Sequence, residues 1–128
     1  MTNTQEALLY LTNLLVYSDG TYDDSERQAI QYICKQEGIS EDDYAGFIRD
    51  VAGLTEKGLY DRGIDLLEEC NDEDRLGVFV WLYKLAEADG NIHAKEIRFL
   101  LYSIRKAGIE FDDVKQAAAA LPPIPVAG

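Results

Sequence analysis

Histidine occurs once in this sequence, as His93, and cysteine twice, as Cys34 and Cys70. Neither cysteine lies in a CxxC pair or a Cys/His spacing, so a zinc finger or a thioredoxin-type centre is not expected. Both read as small buried thiols, with a disulfide or a catalytic thiol as the alternatives. There is no Gly-rich phosphate loop and no Ser-His or Cys-His arrangement with a third partner, so the chain is not expected to be an enzyme and no organic cofactor is expected. Paired carboxylates can run hydrolysis in principle, but among so many acids such pairs arise by chance.

Basic residues are also scarce. Twelve Lys plus Arg stand against 24 Asp plus Glu, for a net charge of −12. A field of that sign repels phosphate backbones and anionic lipid, and no basic groove with interleaved aromatics is present, so nucleic acid is not an expected partner. No run of 18 apolar residues occurs, and residues 1–6 contain no basic region. Neither a membrane span nor a signal peptide is therefore expected, and the expected location is cytoplasmic.

What remains is an ordinary globular composition, 47% apolar and 28% charged over 128 residues. That length suits one domain burying roughly two thirds of its unfolded surface. The apolar spacing is helical throughout, and no segment alternates as a strand does. Helices are expected over about 4–18, 24–37, a short stretch capped by Ser40 and closed by Gly53, 56–69, 72–88, 94–107 and 112–120. Asp19-Gly20, Gly38 and Gly108 act as stops. Gly58 and Gly63 weaken the fourth helix, each by up to ~1 kcal/mol relative to Ala. The fifth, apolar on nearly every side, is expected to be the central and most buried helix. The fold class is all-α, a single-domain bundle of about seven helices over residues 1–120. Residues 121–128 are expected to form a Pro-rich mobile tail.

Sliding the chain against itself by 70 residues uncovers a duplication. Between residues 14–43 and 84–113, nine of 30 positions are identical, among them Leu15/Leu85, Asp19/Asp89, Gly20/Gly90, Glu26/Glu96 and Gly38/Gly108. Composition alone gives roughly two. The units span about 5–43 and 75–113, and a duplication of this kind commonly packs about a pseudo-twofold axis, bringing equivalent turns face to face.

The repeated turn reads Asp19-Gly20-Thr21-Tyr22-Asp23-Asp24-Ser25-Glu26 and Asp89-Gly90-Asn91-Ile92-His93-Ala94-Lys95-Glu96. It is the second half of a calcium-loop pattern, in which Gly permits the sharp turn and the final Glu offers both oxygens to a hard cation. The first half is not there as a set: where the full loop needs carboxylates, the chain has Leu15 and Tyr17, then Leu85 and Glu87. A cation site would therefore have to be shared between the units. The competing reading is capping, with Asp23 and Glu26 as a capping box and Asp19 and Asp89 binding turn amides. Helical spacing puts Glu26 on the face of Ile30 and Ile33, and Glu96 on that of Leu100 and Ile104. Asp19, Glu26, Asp89 and Glu96 are thus the candidate metal ligands, and oxygen ligands suit calcium, magnesium or manganese better than zinc. His93, at a helix start, is expected to cap or to face solvent.

Two such units about 70 residues apart in a small acidic helical chain resemble the TerB family, the tellurite-resistance group whose fold is shared with the N-terminal region of DjlA co-chaperones. The resemblance covers roughly residues 5–115 and is strongest from Ala86 to Glu96; Ser18 and Tyr22 depart from the usual Ala and aliphatic. It implies that Asp19, Glu26, Asp89 and Glu96 match the acidic positions thought to hold a metal in that family, and a non-enzymatic role in bacterial stress response. Without a His-Pro-Asp triplet the chain is no J-protein. The expected function is a binding module that holds a divalent cation and presents a helical surface to a protein partner or a second copy. The alternative is a metal-free, co-chaperone-like scaffold in which the carboxylates only cap helices. Eight tyrosines leave open whether Tyr10, Tyr17, Tyr44, Tyr60 and Tyr83 serve a partner surface or the edge of the core.

Overall fold

The computed structural model describes residues 1–17, 24–88 and 109–125. Within them the chain forms six helices and no strand: α1 (Asn3–Tyr17), α2 (Asp24–Gln36), α3 (Glu41–Val51), α4 (Glu56–Glu68), α5 (Asp72–Ala88) and α6 (Phe111–Ala119). The all-α class holds. The helix expected over 94–107 lies outside the described residues, as do both Asp-Gly turns.

Local chemistry accounts for where the helices begin and end. Ser40 caps α3 by accepting from the Asp43 amide at 3.1 Å, and Thr55 caps α4 through the Gly58 amide at 3.1 Å. Asn71 Oδ1 accepts from the Asp74 amide at 2.8 Å at the start of α5. Each replaces one of the intrahelical partners that a first turn lacks. After α2, Gly38 adopts φ +73° and the Ile39 amide returns to the Cys34 carbonyl at 2.9 Å, a left-handed stop that a side chain would strain. Arg75 closes the other end of α4. Its Nε and Nη2 donate to the carbonyls of Leu67 and Glu68, at 2.8 and 2.5 Å, so a cation meets the helix's negative end.

Packing centres on α1 and α5. α1 lies along α4 and against α5, and α5 also meets α2 and α6. Residues 7–13 of α1 are all buried, whereas α5 leaves Trp81 and Tyr83 half-buried among its apolar residues. Among the described helices α1, rather than α5, is therefore the most enclosed. Its close approach to α4 depends on Gly63, because a Cβ there would lie 2.8 Å from Leu11 Cδ2. Among the described side chains the tyrosines settle at the edge of the core; that of Tyr17 lies outside them. Tyr10 packs edge-on to Phe47, Tyr32 to Trp81 and Tyr83 to Phe111, with ring centroids 4.9, 6.2 and 5.9 Å apart. Tyr44 and Tyr60 are half-buried.

Of the stretch expected to be a mobile tail, residues 121–125 are described, and they lie against the rest of the chain. Ile124 is only 4% exposed and belongs to the core, and Lys84 Nζ donates to the Leu121 carbonyl at 3.1 Å. Burying an isoleucine of this kind contributes roughly 1.5–3 kcal/mol, enough to hold a short extended segment in place. The prolines end the helix but leave the next apolar side chain free to reach the core.

Candidate functional site

Of the four carboxylates singled out by the repeat, Glu26 is placed by the structure. It stands in the first turn of α2 and is 0% exposed, on the stripe that continues through Ala29, Ile30 and Ile33, each at most 1% exposed. The spacing of four and seven residues that put Glu26 on the apolar face thus predicted its burial correctly. Asp24, two residues earlier, faces outward and pairs with Arg27 across 4.0 Å at the surface. Asp19, Asp89 and Glu96, together with His93, lie outside the described residues. Among the described residues no three His, Cys, Asp or Glu side chains come together as a metal-holding group.

Sequence reasoning passed over four features. Lys84 is 3% exposed in the apolar run of α5, where its Nζ meets the Leu121 carbonyl and lies 3.5 Å from Glu87 Oε2. Its only signal was a lone cation inside the apolar run from Leu76 to Ala86. Trp81 donates its indole N–H to Glu37 Oε1, which ties the end of α2 to the middle of α5. Beside that bond a groove of about 300 Å³ opens between α1 and α5, with Trp81 and Leu8 along it and Glu37, Glu73 and Asp74 among its polar groups. A second groove, of about 600 Å³, runs between α5 and α6 and shares Glu73 with the first.

Both cysteines are free and buried. Burial pushes the Cys34 thiol up to about 11, so it stays protonated and unreactive at neutral pH. Cys70 Sγ donates to the Leu66 carbonyl at 3.4 Å and lies 3.4 Å from Thr4 Oγ1, a packing role between α4 and α1. The expectation of small buried thiols is met.

These residues define a small, acidic, all-helical domain whose second helix opens on a buried carboxylate. The family model described as tellurite resistance protein TerB matches residues 5–119, and the chain belongs to that family. No curated protein and no solved structure gives a significant match. No helix among the described residues is long and apolar enough to cross a membrane.

Proposed function

We propose that the protein is a non-catalytic TerB-type binding module that holds one divalent cation between its two Asp-Gly turns and presents a helical surface to a protein partner. The complete burial of Glu26 carries this reading. A carboxylate removed from water has to be compensated by amide donors, a cationic side chain or a metal. Asp19, Asp89 and Glu96 are the acids that the duplication would bring to it. The starts of α3 and α6, at Glu41 and Phe111, fall at the same offset as the sequence repeat, which supports the two-unit architecture over 5–43 and 75–113. Oxygen ligands of this kind favour calcium, magnesium or manganese. When bound, the cation neutralises the converging acids and cross-links the units; no bond is made or broken. A cytoplasmic role in stress response is part of the same proposal, in keeping with a family described by tellurite resistance.

The second reading is a metal-free scaffold, and the place of Glu26 in the first turn of α2 favours it. Unsatisfied amides and the positive end of the helix dipole stabilise a carboxylate there without any ion. Calorimetry with calcium, magnesium and manganese separates the two. The cation reading expects saturable binding that is lost when Glu26 and Glu96 are both replaced by Gln. Absence of binding, or binding that survives the double replacement, leaves the scaffold.

A further inference from the structure

We infer that the groove between α1 and the N-terminal half of α5 takes a basic segment of a partner protein, seating an arginine or lysine side chain against Trp81 between Glu37 and Glu73. The inference rests on the reading of the chain as a binding module, and is independent of its cation.

Three observations converge on this groove. The first is its charge. Glu37, Glu73 and Asp74 border it, and Glu73 also borders the neighbouring groove between α5 and α6, where Asp72 and Asp113 add to the same field. Among the described residues no Lys, Arg or His lines either groove. The nearby cation, Arg75, is committed to the carbonyls that end α4. A basic chain crossing α5 would meet acids on both sides of the helix, so the complementary occupant is positive.

The second is the wall. Trp81 is half-buried, and its indole N–H is held by Glu37. A fixed indole beside carboxylates suits a guanidinium or ammonium group, whose aliphatic stem packs on the ring while the head reaches the acids.

The third is the floor. Gly77 lies in the interior of α5, where glycine costs about 1 kcal/mol relative to alanine. Packing does not require it, since a Cβ at Gly77 would meet nothing within 4 Å. Gly63 is the contrast, because its neighbours leave no room for a side chain. The missing side chain at Gly77 keeps open the groove that Leu8, Val78 and Trp81 border.

Trp81 is the one tryptophan of the chain, so its emission reports on the groove directly. Titration of the full chain, in chelator, with a capped tetra-arginine peptide is expected to give a saturable emission change, and a capped tetra-glutamate peptide none. Glu73→Lys and Gly77→Leu are each expected to weaken binding by about tenfold, while Asp50→Lys, an exposed charge reversal on α3, leaves it within about twofold. A Cβ at Gly77 meets nothing within 4 Å, so Gly77→Leu is expected to keep the fold and a circular dichroism that matches the parent. No emission change with tetra-arginine overturns the inference. So does equal weakening by Asp50→Lys and Glu73→Lys, which would mean diffuse attraction to the net charge. Calcium binding by calorimetry is read separately, so failure of the peptide leaves the cation reading standing, and the reverse.

Discussion

Gly63 on α4 faces Leu11 on α1 so closely that any side chain at the glycine would sit 2.8 Å from Leu11 Cδ2 and 3.2 Å from Tyr10 Cβ. The glycine that weakens α4 in isolation is what lets α4 approach α1. Gly63→Ala gains in helix propensity, but the overpacking, typically 1–3 kcal/mol, outweighs that gain. Thermal unfolding is expected to show a lower Tm for Gly63→Ala and a higher or unchanged one for Gly77→Ala. Equal behaviour of the two variants would show that the α1–α4 contact adapts.

The same pair shows where sequence reading stops. Helix starts and stops were legible almost to the residue, because Ser40, Gly38 and Asn71 act on amides and carbonyls within a few positions. The close approach at Gly63, the burial of Ile124 and the enclosure of α1 were not, because each depends on which distant segment packs there. Glu26 was half legible. Helical periodicity fixed its face, whereas whether Asp19, Asp89 and Glu96 share its surroundings depends on how the two units pack, which no local pattern encodes.

Arg75 gives a prediction about charge geometry. Its guanidinium spans the Leu67 and Glu68 carbonyls and lies 3.5 Å from Asp72 Oδ1. Arg75→Ala is expected to cost about 1–3 kcal/mol in urea unfolding, since two carbonyls at the end of α4 lose a charged donor. Arg75→Lys is expected to recover less than half of this, because one ammonium cannot reproduce the planar fork. Full recovery by lysine would assign the effect to charge alone.

Ile124 predicts that the residues after α6 contribute to stability. Ile124→Ala is expected to destabilise by about 2–4 kcal/mol, as a core isoleucine does. Ending the chain after residue 123 is expected to cost at least as much. In both variants the amides of α6 should exchange faster with deuterium than in the parent. A shortened chain with unchanged stability would show that the segment is dispensable.

Cys34 carries a pH signature. With the thiol pushed up to about 11 by burial, the folded state holds the proton across pH values where the unfolded chain, near 9, has lost it. The contribution to stability is therefore fully present below pH 9 and is lost as pH rises from 9 through 11. In a Cys70→Ala background, where Cys34 is the one thiol, about one molecule in a thousand carries thiolate at pH 8. Alkylation by iodoacetamide is expected to be slow there and to rise about tenfold per pH unit up to pH 10. Labelling at pH 8 as fast as in the denatured chain would contradict the burial.

Glu26 offers the sharpest test of the cation reading in stability terms. A ligand that binds only the folded state stabilises it by RT ln(1 + [L]/Kd), about 2.7 kcal/mol at a hundredfold excess over Kd. For a domain of this size that corresponds to roughly 10 °C in Tm. Calcium or manganese is expected to raise the parent's Tm by that order and to leave Glu26→Gln unmoved, since the amide keeps the shape but loses the charge and the second anionic oxygen. Charge neutralisation at the exposed Asp24, on the same turn, should leave the cation response intact, which separates ligation from general screening of the net charge of −12. The metal-free scaffold predicts a different pattern, with no cation response in any variant and a lower Tm for Glu26→Gln through loss of its favourable place at the start of α2.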